Sequence, residues 1–349
     1  MIARLKATTW RVLGGLYSVS GLSHFRHQGR VSVLTYHRVV PQNVVERQHI
    51  QPGMYMLEES FAGHIAYLRE HFTIISLDEL LDLWQANQFK RDRSYCVITF
   101  DDGWRDNYQF AFPTLKRLGV PATIFLATDF IGTTQWFWPD RLMGLLAKGV
   151  APSLGVAARN AVSAILVDVI GVRPFPVDGG YREVKSGLPV TADAIVEMCK
   201  GLDVDKIEPL LNSLSLALCA DVPAERVLLD WDEVREMAAY GVSFGSHSCS
   251  HRILTQIPLS EVKTELTESK RAIVQHGVQP SSVFCYPNGN FNPGIQSLVR
   301  ENGYRAAVGC EIGLEGDSPC DLYALKRISL HEDSSSSDSL FALALSGIR

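Results

Sequence analysis

From residue 31 onward, short apolar runs alternate with amphipathic stretches that carry helix punctuation. The run VSVLTYH ends at His37, and the stretch after it sets Phe61, Ile65 and Leu68 on one helical face. Ser76-Leu77-Asp78-Glu79 reads as a capping box, opening a helix that contains Leu80, Leu83 and Trp84. CVITFDD comes next, then a helix closing at Gly119 and the run PATIFLAT over 121–128. Later, Asp230 with Glu233 starts a helix that stops at Gly241, followed at once by VSFGSHS. Ser260 opens a long helix ending near Gly277 and leading into SSVFCYP, and Asn292-Pro293 forms a cap and first-turn pair with Gly303 as the stop. The last runs are YRAAVGC and YALKRISLH. After them EDSSSSDS reads as a flexible polar loop and LFALAL as a short packed helix.

Strand, helix, strand, repeated this often, predicts an α/β protein with a parallel sheet. About six or seven units point to a closed or nearly closed (β/α) barrel, with a flat doubly wound sheet as the alternative. Between about Trp136 and Val227 the rhythm breaks, which predicts a mainly helical insertion at 136–227 within a barrel over 31–349. Residues 1–30 read as a separate amphipathic helical segment. Ile2, Leu5, Val12, Leu13 and Leu16 share one face, with Arg4, Lys6 and Arg11 as its basic residues. Such a helix either packs on the domain or makes a peripheral membrane contact; no apolar run is long enough to span a bilayer.

Charge and cysteines narrow the class. The 33 basic and 38 acidic residues leave a net charge of -5 with no long basic run, so no nucleic-acid partner is expected. Seven cysteines without C-x-x-C pairs argue for reduced thiols, and hence for the cytoplasm or the inner face of its membrane.

The candidate chemistry is positional. Asp101 and Asp102 end one predicted strand, His247 ends another, and His37, Pro287 and His331 end three more. In a parallel barrel these C-terminal ends gather at one mouth. In the TFDDG run two carboxylates are adjacent and repel, so a divalent metal on one leaves the other as a base. His247-Ser248-Cys249-Ser250-His251 spaces two imidazoles four apart, and on a helical turn or helical loop both could hold one ion. Two histidines plus Asp102 make the three-ligand set of a catalytic zinc site with a position left for water. Trp136 and Trp138 could stack on a sugar ring or belong to a core.

TFDDG and HSCSH in this order, on this frame, resemble the polysaccharide deacetylases with a NodB-homology domain (carbohydrate esterase family 4) over roughly residues 31–135 and 228–331. The resemblance implies a distorted (β/α) barrel and a metal-dependent hydrolase removing N-acetyl or O-acetyl groups from a glycan, N-acetylhexosamine being the expected sugar. It implies Asp101 as base and Asp102, His247 and His251 as ligands of a divalent metal, zinc first, with cobalt, nickel or manganese as alternatives. It places Tyr286, Pro287, Asn288 and Gly289 in the third motif, where the backbone N–H of Tyr286 is the candidate oxyanion donor. That motif usually carries an Arg that orients the base, and Cys285 stands in its place. Ser329-Leu330-His331 falls where the family has Leu-x-His, making His331 one candidate general acid and His37 the other. An amidase for a small non-sugar amide and a barrel that binds glycan without reacting are the competing readings.

Overall fold

A computed structural model describes residues 22–47, 50–151, 153–175, 180–220 and 225–347. The expected helix over the first residues, with its membrane contact, falls on residues 1–21, outside the described residues. Among the described residues, no helix is long and apolar enough to cross a membrane. The chain divides into two compact units, 1–133 with 226–349, and 134–225.

The larger unit is built on an eight-stranded sheet in which Thr73–Ile74 pairs beside β2 and seven strands form the main path: β1 (Arg30–Tyr36), β2 (Ser94–Phe100), β3 (Ala122–Leu126), β4 (Val242–Ser246), β5 (Pro280–Cys285), β6 (Ala306–Val308) and β7 (Ile328–Ser329). They lie in the order β6-β5-β4-β3-β2-β1-β7, and every pairing along it is parallel. The curled sheet nearly closes, as the barrel reading requires. Leu325, just ahead of β7, bridges to Val308 of β6, while Leu330, just after β7, donates to the Thr35 carbonyl of β1 at 3.0 Å. The short segment 325–330 is therefore the seam between the two ends of the sheet.

Side chains alternate across a strand, so every second residue shares a face. On β1 one face reads Val31, Val33, Thr35 and then His37 beyond the strand; on β2 it reads Tyr95, Val97, Thr99 and then Asp101. Val31 is level with Tyr95, Val33 with Val97 and Thr35 with Thr99. Val31, Val33, Tyr95 and Val97 pack with Phe125, Val283, Cys285, Ala306, Val308 and Leu325 in one core cluster. The sheet's inner face thus passes from apolar at the bottom to hydroxyls and then ionisable groups at the C-terminal ends. That gradient puts chemistry at the mouth and apolar burial beneath it.

Helix boundaries follow the capping signals. Ser76 accepts from the Glu79 N–H at 3.1 Å. Asp230 and Glu233 form a full capping box, and Asn292 accepts from the Ile295 N–H at 3.0 Å. The smaller unit has its own core, with Leu142, Leu146, Leu166, Ile195, Leu211 and Leu214 buried among its helices. It also holds a three-stranded antiparallel sheet over residues 172–190.

One expectation is overturned. EDSSSSDS is not a flexible loop: Glu332–Ser335 is a helical turn and Ser335 is fully buried. Two contacts with the helix α1 (Glu58–His71) order it. Glu332 accepts from the Leu57 N–H at 3.0 Å and the Ser60 hydroxyl at 3.1 Å, capping the α1 N-terminus. His64 Nε2 meets the Ser335 carbonyl at 2.7 Å, its Nδ1 meets Tyr36 Oη at 3.1 Å, and its ring stacks on Phe341 at 3.7 Å.

Burial lowers the His64 pKa to about 4, despite the opposing bond to Ser335. In the unfolded chain the same imidazole titrates near 6.5, so the unfolded state takes up its proton first as pH falls. Stability from this residue is complete above about pH 6.5 and is lost as pH drops toward 4, by about 3 kcal/mol in all. Urea titrations between pH 7 and pH 4 should therefore show a clearly shallower pH dependence for His64→Gln than for the wild type.

Candidate active site

Asp101 is the first residue past β2, and its N–H donates to the Tyr36 carbonyl at 3.0 Å. Its carboxylate is held by Arg327, which is 1% exposed. Nη1 donates to Oδ1 at 2.8 Å and Nη2 to Oδ2 at 2.8 Å, the fork geometry in which guanidinium and carboxylate bind best. The other donors of Arg327 are also used. Nε reaches the Gly309 carbonyl at 2.8 Å, Nη1 lies 3.1 Å from Thr35 Oγ1 and 3.3 Å from Thr99 Oγ1, and Nη2 lies 3.4 Å from Cys285 Sγ. Burial pushes the Asp101 carboxyl up, but the Arg327 charge and hydrogen bonds outweigh it and bring the pKa down to about 2. Burial pushes the Cys285 thiol up, so it stays protonated and lies 3.6 Å from Asp101 Oδ1 as a weak donor.

Asp102 turns away from the strand with φ of 74°, a left-handed conformation that Asp tolerates better than most residues. That turn lets two adjacent carboxylates occupy different environments. Asp102 Oδ1 lies 3.5 Å from His247 Nε2 and 3.2 Å from His251 Nε2. Its other oxygen accepts from Trp104 Nε1 at 2.8 Å. Burial raises the carboxyl, yet the hydrogen bonds from the two imidazoles hold it well below the usual carboxylate range. His247 Nδ1 is 2.8 Å from the Cys285 carbonyl. A carbonyl can only accept, so Nδ1 carries the proton and Nε2 is left to face Asp102.

The three groups suit a metal ion. Ligand atoms of Asp102, His247 and His251 all lie within 4.8 Å of one another. Two ligands about 2.0–2.1 Å from a tetrahedral ion stand roughly 3.3 Å apart, which matches the 3.5 and 3.2 Å separations. The donors are one carboxylate and two imidazoles, a set suited to zinc and its first-row neighbours. The two histidines do not meet on a helical turn, contrary to one expectation. Ser248 and His251 have φ of 64° and 57°, and the loop's curvature points both rings at Asp102.

The remaining expected residues are placed as follows. His37 follows β1 directly beside Asp101, and Asn107 Nδ2 donates to its carbonyl at 2.9 Å. His37 Nδ1 is buried and makes no hydrogen bond. His331 stands one strand further out, past β7. Its Nδ1 is 3.8 Å from Asp333 Oδ2, and it lines a cavity of about 220 Å³ with Ser329, Ile312, Leu340 and Leu343. The oxyanion role of Tyr286 is corrected. Its N–H donates to the Val308 carbonyl at 3.2 Å, extending the sheet ladder, and its hydroxyl donates to the Tyr323 carbonyl at 3.0 Å. Pro287, Asn288 and Gly289 form a tight turn with φ of 55° at Asn288 and 72° at Gly289. A Cβ at Gly289 would come within 2.5 Å of Cys310 Sγ, so this turn requires glycine.

Arg327 is the functional residue that the sequence reading missed. The available signal was a guanidinium in the run YALKRISLH, on the inward face with Leu325 and Ser329.

Comparison with known proteins fits this geometry. A family model described as polysaccharide deacetylase matches residues 89–153 and 203–307. YxkH of Bacillus subtilis, assigned by name to the polysaccharide deacetylases, is 21% identical over 302 residues, covering 86% of this chain and 71% of its own. The poly-β-1,6-N-acetyl-D-glucosamine N-deacetylase of Staphylococcus epidermidis is 32% identical over 80 residues, 23% of this chain and 27% of its own. Among solved structures, the Streptococcus pyogenes deacetylase PplD superposes with a TM-score of 0.56 at 16% identity, over 90% of this chain and 97% of that one. The family match spans both aspartates, the histidine pair and the turn after β5, whereas His37, Arg327 and His331 fall outside it. The chain is thus similar to the polysaccharide deacetylases, hydrolases of carbon–nitrogen bonds, across both motifs that form the site.

Proposed function

We propose that this chain removes N-acetyl groups from a glycan containing N-acetylhexosamine, with Asp101 as general base and His37 as general acid. The observation that carries this reading is the division of labour between neighbouring carboxylates. Asp101 is kept ionised by Arg327, beside an Asp102–His247–His251 set that fits a divalent cation. The N-acetylglucosamine polymer named for the Staphylococcus epidermidis relative supports the choice of sugar.

A divalent cation held by Asp102, His247 and His251, zinc by the donor set, would supply Lewis-acid polarisation of the acyl carbonyl and a lowered pKa for water. Arg327 uses one lone-pair direction on each Asp101 oxygen and the Cys285 thiol meets Oδ1, leaving a direction on Oδ2 to take a proton. Asp101 removes a proton from water as the water oxygen attacks the acyl carbon. The carbon–nitrogen bond then breaks, His37 gives a proton to the amine, and acetate and the free amino sugar leave. His37 suits the acid role better than His331, because it ends the strand that neighbours the one carrying Asp101, whereas His331 stands one strand further out. We place the chain in a reducing compartment, the cytoplasm, a reading supported by its seven free cysteines.

Asp101→Asn should lower acetate release from N-acetylglucosamine oligomers by about 10²–10⁴-fold with metal still bound, while His247→Ala should lose the metal. Wild-type turnover in Asp101→Asn would refute the base. Arg327→Met leaves Asp101 buried without its cation. It should retain metal yet show the acid limb of its kcat/KM profile at higher pH, with a stability loss of about 3–5 kcal/mol by urea denaturation. Separately, His37→Ala should cost about 10²-fold or more in kcat and His331→Ala less than about tenfold. The reverse order in the same acetate assay would transfer the acid role to His331.

A further inference from the structure

The loop carrying both histidines is shaped by a group outside the metal-ligand set. Its backbone N–H groups are all used. His247 N–H donates to the Leu126 carbonyl at 2.9 Å, Ser248 N–H to Ser246 Oγ at 3.2 Å, and His251 N–H to Ser248 Oγ at 3.0 Å. The two between them, on Cys249 and Ser250, converge on one atom. Oε2 of Glu265 accepts from Cys249 N–H at 2.7 Å and Ser250 N–H at 2.9 Å. Its other oxygen accepts from Ser250 Oγ at 2.5 Å and lies 3.4 Å from Arg252 Nη2. Glu265 is 5% exposed, on the helix α2 (Leu259–Gln275). Consecutive N–H groups aimed at one anion form a nest, a concavity that a carboxylate fills well and a neutral side chain fills poorly.

The nest lies between two residues in the left-handed region, Ser248 and His251. A non-glycine residue there is strained and stays only where its surroundings impose it. We propose that Glu265 is a positioning residue for the metal: its carboxylate imposes the turn that points His251 at Asp102. This rests on the reading of Asp102, His247 and His251 as metal ligands. Glu265 itself touches neither metal nor substrate. Its helix is anchored in turn, because Ser269 Oγ bonds the Glu265 carbonyl at 2.6 Å and meets Ser246 Oγ of β4 at 2.5 Å.

Partners that orient a ligand typically set metal affinity within about 10–100-fold. Full-length Glu265→Ala and Glu265→Gln should be compared with Glu261→Ala, which removes an Arg252 partner from the same helix without touching the nest. Zn²⁺ affinity by chelator competition should fall about 10–100-fold in Glu265→Ala and less in Glu265→Gln, which keeps one acceptor oxygen. Glu261→Ala should stay within about twofold of wild type. The visible spectrum of the Co²⁺-loaded protein should change in Glu265→Ala, reporting an altered ligand geometry. Amide exchange at Cys249 and Ser250 should quicken in both Glu265 variants without metal. If Glu265→Ala fails to fold, Glu265→Gln carries the same comparisons. Unchanged exchange, or unchanged Zn²⁺ affinity in a folded Glu265 variant, would overturn the proposal. A wild-type protein that binds neither Zn²⁺ nor Co²⁺ would instead sink the metal reading, and the proposal with it, while the exchange data would still show whether Glu265 holds the turn.

Discussion

The buried pairing of Arg327 with Asp101 is the constraint on which the rest of the site depends. Two charges removed from water cost several kcal/mol each, and their attraction repays that only with good geometry and satisfied remaining donors. Both conditions hold. The guanidinium meets the carboxylate as a fork, and Gly309, Thr35, Thr99 and Cys285 take its other donors. The Arg comes from the seam segment, which touches β6 on one side and β1 on the other, so closing the sheet and fixing the Asp101 carboxylate are one structural event. A hydrophobic pair of similar volume could fill that space without the desolvation cost. What the ion pair provides instead is a carboxylate fixed in direction and kept ionised under full burial.

The same pairing explains how adjacent aspartates avoid frustrating each other. Two like charges this close ordinarily force one to take a proton. Here each carboxylate has its own cationic or donor environment. Asp101 faces the barrel interior and Arg327, while Asp102, through its left-handed backbone, faces the imidazoles and Trp104. Environment, not residue type, assigns the two roles. The Asp102 side is braced further: the Arg38 guanidinium sits 4.6 Å over the Trp104 ring and bonds Asp106 at 2.7 Å.

Much of this was legible in the sequence because the determining patterns are local. The alternation of apolar runs and capped helices revealed the parallel barrel, and TFDDG with HSCSH marked four residues that the fold brings together. What escaped was non-local or anti-local. Arg327 acts on a partner 226 residues away in sequence, from the position just ahead of β7, a strand of two residues too short to show a period. Cys285 left the third motif without its Arg, and no local signal said that the charge would arrive from the seam. The serine-rich stretch looked like a loop by composition, but its order is imposed from outside by His64 and the N-terminus of α1. The Tyr286 N–H could be assigned to the strand ladder only once β6 was known to lie beside β5.

A common logic runs through these non-local contacts. Asp101, His247, His251 and the backbone at His37 are each oriented by an element other than the one that carries them. Asp101, after β2, is set by the seam; His247, after β4, by the carbonyl of Cys285 on β5; His251 by a carboxylate on α2; and the backbone at His37, after β1, by Asn107. Most of the site therefore depends on neighbouring strands being in place, Asp102 with Trp104 being the ligand supported within its own loop. Loss of the seam contacts would free the Asp101 carboxylate first, since Arg327 comes from the seam segment just ahead of β7, while leaving the aspartate–histidine cluster held by β2, β4 and β5. The Asp101 carboxylate therefore depends on the seam in a way that the aspartate–histidine cluster does not.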